Sequence, residues 1–159
     1  VLVLSVSLIA CTNTDMVVEG EVQQNAADEK ADEKAIASVV EGFGRKLQMV
    51  SLLAPKDVLE KSMKEHYGEF VSQALIEKWA EDPQNAPGRL TSSPWPNRIE
   101  ILSIEESSEG VYEVTGEIIE ITSAEKESGE IAAKRAITLL LKKSDNRWTI
   151  DDVILGDYS

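Results

Sequence analysis

The sequence predicts an α+β domain, with N-terminal helices packed on a curved four-stranded antiparallel sheet. Three observations carry this prediction. Apolar residues recur at helical spacing from Ile36 to Trp79, they recur at every second position from Ile99 to Ile150, and a segment holding Pro83, Pro87, Pro94 and Pro96 separates the two stretches.

Ile36, Val40, Phe43, Leu47 and Val50 step by four, three, four and three, which places them on one face of a first helix. Gly42 and Gly44 interrupt it at a cost of about 1 kcal/mol each relative to Ala, so they point to close packing against a neighbour or to a bend. Pro55 ends this helix or begins the next. Val58, Leu59, Met63 and Tyr67 form the apolar set of a second helix, closed by Gly68 as a left-handed cap. Ser72 is placed to N-cap a third helix through Leu75, Ile76 and Trp79. Residues 82–97 form an irregular but ordered crossing loop, in which Pro94 and Pro96 hold Trp95 stiffly.

Four strands follow. Ile99 and Ile101, then Tyr112, Val114, Gly116 and Ile118, then Ile137, Leu139 and Leu141, then Trp148 and Ile150 alternate with polar residues, so one face of the sheet is dry and the other wet. The spacers at 105–110, 124–130 and 144–146 suit an antiparallel meander. The apolar parity slips at Ile118-Ile119 and at Asp151-Asp152, and both slips predict β-bulges that bend the sheet.

Composition narrows function by exclusion. With 29 acidic residues, 16 basic ones and a formal charge of -13 over 159 residues, the chain repels nucleic-acid phosphates, so no nucleic-acid partner is expected. One cysteine forms no internal disulfide, and one histidine with one cysteine is too few soft ligands for structural zinc. Any metal would be a hard, carboxylate-bound ion, and no cofactor is expected.

Residues 1–10 read VLVLSVSLIA, an uncharged apolar run within the length of a signal-peptide core and about half of what a membrane-spanning helix needs. Its end, Leu8-Ile9-Ala10-Cys11, resembles the lipobox of bacterial lipoproteins. The resemblance implies that Cys11 takes a diacylglycerol thioether and becomes the mature N-terminus, with the membrane as partner and the extracytoplasmic face of the cell membrane as location. With neither initiator Met nor basic n-region, the sequence is read as starting inside the signal peptide. Residues 12–34 carry seven acids and two lysines, including the tandem ADEKADEK that stacks like charges four apart. They read as a solvated spacer, frayed helix at most, reaching about 25 Å as a flexible coil.

Helices followed by a long bent antiparallel sheet resemble the NTF2-like (cystatin-like) α+β cone, over about residues 35–159. That superfamily includes isomerases, dehydratases, secretion-machinery domains and dimerisation modules, so the fold alone selects none of them. The stretch Pro87-Gly88-Arg89 followed by Thr91-Ser92-Ser93-Pro94-Trp95-Pro96 also resembles uncharacterised lipoproteins of Gram-positive bacteria, and no activity comes with that likeness.

No phosphate loop, nucleophile elbow or zinc-protease motif is present. His66 is the one histidine, and its place near a helix end suits a dipole role better than proton transfer. Asp82, Asp151 and Asp152 are candidate bases on an acid-rich surface. The binding candidates are Trp79, Arg89, Trp95, Arg98 and Tyr112, which at the mouth of a cone would suit a small apolar or anionic ligand. Core packing is the competing explanation for the aromatic members, and pairing with local carboxylates for the arginines. The expectation is a tethered binding or protein-interaction module, contacting a ligand or an envelope protein through the proline loop or the open sheet face (Thr115, Glu117, Thr138, Leu140). A small pocket enzyme is the alternative, and a homodimer formed through the sheet is a further possibility.

Overall fold

The computed structural model describes the backbone of residues 15–159 and the side chains of residues 27–159. Cys11 and the apolar run before it lie outside the described residues. Helix α1 spans Asp15–Lys46 and passes into a 3-10 turn at Leu47–Met49; α2 is Lys56–Tyr67 and α3 is Gln73–Glu81. After a short 3-10 turn at Pro83–Asn85 come β1 (Trp95–Ser108), β2 (Val111–Ile121), the short helix α4 (Ser123–Ser128), β3 (Ala133–Ser144) and β4 (Arg147–Tyr158). The part of α1 up to Asp32 belongs to a separate unit, and residues Glu33–Ser159 form the folded domain.

From Asp15 onward the spacer is helical, where a coil with at most a frayed helical end was expected. Like charges four apart cost a few tenths of a kcal/mol each, but Ala, Glu, Lys and Gln are strong helix formers. The stretch also extends a helix already nucleated by the buried residues from Ile36 onward, so the unfavourable first turn is not repeated.

In the domain, Ile36, Val40, Phe43, Leu47 and Val50 are fully buried, as their spacing predicts. Close packing explains Gly44. A Cβ there would stand 2.6 Å from the backbone nitrogen of Ile99, so α1 touches the backbone of β1 at this point. Gly44→Ala is therefore expected to destabilise the domain by about 1–2 kcal/mol in urea unfolding, because crowding of fixed backbone exceeds the gain in helix propensity. A stabilised variant would show that the helix can back away from the strand.

Leu59, Met63 and Tyr67 give α2 its buried face, while Val58 is 51% exposed and lies off it. Gly68 does not take the left-handed cap conformation. Its φ is -59°, and a Cβ there would meet the carbonyl oxygen of Lys64 at 2.5 Å, so glycine is required by crowding instead of by handedness. Ser72 caps α3, its hydroxyl accepting from the Leu75 N–H at 3.3 Å. Ser72→Ala should cost about 1 kcal/mol, read as a lower urea midpoint at unchanged slope.

The strands form one antiparallel meander in the order β1-β2-β3-β4. Trp95 and Pro96 open β1, paired with Ile121 and Glu120, where a loop was expected. Proline is tolerated because β1 is an edge strand with one side free of ladder bonds. The bulge expected at Asp151 is present, since Leu140 pairs with Asp152 and Leu141 with Ile150. The slip at Ile118-Ile119 is not a bulge of β2, which keeps unbroken register with β3 there; the extra residue is Asn97 on β1. Both isoleucines are buried, on opposite faces: Ile118 joins the core under the helices, and Ile119 lies outside it, at the end of β2 where α4 folds back.

Candidate functional site

The interior of the domain is apolar and rich in aromatic side chains. Phe43, Tyr67 and Trp79 form an aromatic trio with ring centroids 5.0, 6.3 and 6.2 Å apart, and Tyr112 meets Trp148 edge to face at 5.2 Å. The Tyr67 hydroxyl donates to the Pro87 carbonyl at 2.9 Å inside this core, and burial pushes its pKa well above the ordinary phenol value. Among the described residues, the residues buried from solvent are hydrophobic ones, with no charged or strongly polar residue in the core.

The candidate residues do not converge on a cone mouth. Trp79 and Tyr112 are core residues, 1% and 5% exposed. Trp95 and Arg98 are half-buried at the start of β1, and Arg98 is neutralised by Glu100, its Nε lying 3.0 Å from the carboxylate. Arg98 lines an open groove of about 740 Å³ with Glu41, Arg45 and Leu102, where Arg45 and Glu41 stand 3.9 Å apart. Arg89 lies elsewhere, in the loop after α3.

The acid and base candidates are equally dispersed. His66 is half-buried on the last turn of α2. Asp82 accepts from Asn85 Nδ2 at 2.6 Å, and Asp152 pairs with Lys78 at 3.4 Å. Asp151 pairs with Lys142 at 2.6 Å, and that hydrogen bond, aided by one from Ser72, holds its carboxyl below the usual carboxylate range. The same pair raises the Lys142 ammonium, so both groups are fixed in their charged forms at neutral pH. No cluster of His, Cys, Asp and Glu suited to a metal is present among the described residues, and no described helix is long and apolar enough to cross a membrane.

Two surface grooves escaped sequence reasoning. One, of about 630 Å³, lies at the β3–β4 turn and is lined by Ser72, Lys142, Lys143, Arg147, Thr149 and Asp151. Its signal was available, since Lys142, Lys143 and Arg147 flank a tight turn in an acid-rich chain. The other, of about 450 Å³, is lined by Ser51, Leu53, Arg89, Leu90, Thr91 and Ser92. It is built by a parallel bridge between Ser51 and Arg89, in which the Arg89 N–H donates to Val50 O at 2.8 Å and the Leu52 N–H to Arg89 O at 3.0 Å.

These features define the class: an α+β domain with helices on a curved antiparallel sheet, an apolar interior and surface grooves lined by polar and charged side chains. No protein-family model and no curated protein matches the chain. A crystal structure of a protein of unknown function from Bacteroides thetaiotaomicron is similar to it, with 18% identity over 83% of this chain and 98% of that one and a TM-score of 0.46.

Proposed function

We propose that this chain is a lipid-anchored protein of the extracytoplasmic face of a bacterial membrane, whose domain is a binding or protein-interaction module. The observation that supports a surface-binding role is the apolar core, free of charged residues among those described, beside grooves that open to the surface. Pocket catalysis needs a titratable group facing a cavity, and the titratable side chains in the described core are two phenols, Tyr67 and Tyr112, of which Tyr67 is held neutral and bonded to a carbonyl. The NTF2-like likeness of the element order is compatible with this role, since that superfamily includes modules without catalysis. The anchor rests on the Leu8-Ile9-Ala10-Cys11 sequence.

Two measurements test this reading. With a host n-region and initiator Met fused ahead of residue 1, the protein should incorporate radiolabelled palmitate and sediment with membranes, and Cys11→Ser should lose both. A Cys11→Ser protein that keeps its label and its membrane fraction rules out the anchor. Native mass spectrometry of the gently extracted protein addresses the module: an adduct or a stoichiometric partner supports it, whereas a bare chain that also forms no cross-links on intact cells removes it.

A further inference from the structure

Arg89 differs from the other arginine in the candidate set. In a chain with 29 acidic residues against 16 basic ones, a carboxylate partner is easily supplied, and Arg98 has one in Glu100. Arg89 has none among the described residues, and its Nε is buried without an acceptor. The buried Nε anchors the stem of the side chain, and the terminal N–H groups, which are not buried and have no partner among the described residues, are left for an acceptor from outside the fold.

The surroundings specify the rest of the ligand. Residues paired across a β-bridge project to the same side, which puts Ser51 beside Arg89. Ser51, Thr91 and Ser92 line the groove with it, and Thr91 is already engaged, donating to Pro94 O at 3.1 Å. The hydroxyls of Ser51 and Ser92 remain as donors for an anion next to the guanidinium. Flanking them are two aliphatic side chains that the fold leaves in solvent, Leu53 at 75% and Leu90 at 44% exposure. The groove therefore offers one planar cation, small hydroxyl donors and an apolar rim.

We propose that this groove binds a carboxylate carrying an aliphatic group, with Arg89 as the anion anchor, Ser51 and Ser92 as supporting donors, and Leu53 and Leu90 covering the aliphatic part. Carboxylate geometry matches the guanidinium fork, and the apolar rim adds affinity that a bare inorganic anion would not gain. The inference rests on the binding-module reading and names its ligand class. A free fatty acid and a peptide ending in an apolar residue present the same chemistry, and the test separates them.

The probes are decanoate and N-acetyl-Ala-Leu, with decanol and the C-terminal amide of the dipeptide as neutral controls, titrated into the full chain by calorimetry and by amide chemical shifts. At least one acid should bind, with shifts centred on Ser51, Arg89 and Leu90, and its neutral control should bind about tenfold more weakly or not at all. Decanoate alone would assign a fatty acid, and the dipeptide alone a peptide C-terminus. Arg89→Met should weaken the active acid about tenfold, while Arg98→Gln leaves it unchanged. Because Arg89 is half-buried, Leu53→Asp provides a second variant at an exposed position: it sets a negative charge on the rim and should weaken the acid without altering the fold. Equal binding of acid and neutral control, no binding of either acid, or insensitivity to both substitutions overturns the proposal. None of these results bears on a partner found by mass spectrometry, so the module reading stands or falls separately.

Discussion

Trp79→Ala is expected to lower the unfolding free energy by about 3–5 kcal/mol. The indole is 1% exposed on the last turns of α3 and stacks near-parallel on Phe43 at 6.3 Å while meeting Tyr67 edge-on at 6.2 Å. Truncation removes a large apolar area from the core and leaves a cavity between α1, α2 and α3 that rigid helices fill poorly. Aromatic contact geometry adds about 0.5–1.5 kcal/mol per pair beyond area alone, so two pairs are lost together. Urea unfolding followed by circular dichroism reads the effect, with Trp79→Phe expected to recover part of it. A variant that unfolds at the wild-type midpoint would mean that Trp79 contributes to something other than the core.

The same residue shows what the sequence makes legible. Trp79 falls on the face set by Leu75 and Ile76, and Tyr112 on the parity set by Val114 and Ile118, so periodicity had already placed both in the core. The meander, the Ser72 cap and the Asp151 bulge were readable for a similar reason: each is a local pattern with one physical solution. Long-range or competing effects were not. The start of α1 depends on nucleation outweighing charge repulsion, and Trp95 joins β1 only because Ile121 lies opposite. Helix α4 announced itself by Thr122 and Glu125, which form a capping box, and by Gly129 at a left-handed φ of 78°, but a single capped turn is easily read as loop.

The candidate site was less legible than the fold. Selecting Arg89, Arg98 and the aromatics by residue type assumed that they meet, and the fold sends them to a core, an edge strand and a loop. What distinguishes Arg89 is its parallel bridge to Ser51, a contact between segments far apart in sequence. Neither segment has a periodicity that predicts it. The carboxylates that neutralise Arg98 and Lys142 are local, by contrast, and a two-residue alternation along β1 already places Glu100 beside Arg98.

Tyr67 gives the sharpest test of the core through pH. Burial raises its phenol well above the ordinary value of 10.0, because the phenolate would be stripped of water among Phe43 and Trp79. Below that ordinary value both folded and unfolded chains keep the proton, and the contribution of the buried phenol is fully present. Above it the unfolded chain releases a proton that the folded chain retains. Stability therefore falls as pH rises, by up to about 1.4 kcal/mol per pH unit, until the folded phenol itself ionises. Tyr67→Phe should be less stable at pH 7 by about 1–3 kcal/mol, since the buried Pro87 carbonyl loses its donor. That deficit should shrink on going above about pH 10, because the variant lacks the ionisation that penalises the parent. Tyr158, also raised by burial and by Glu120, is common to both proteins and cancels in the difference, as do the paired lysines Lys134 and Lys142. Urea melts of the two proteins from neutral to strongly alkaline pH measure it directly. A deficit that stays constant across the range would mean that Tyr67 ionises equally in both states and that the core around it is open to water.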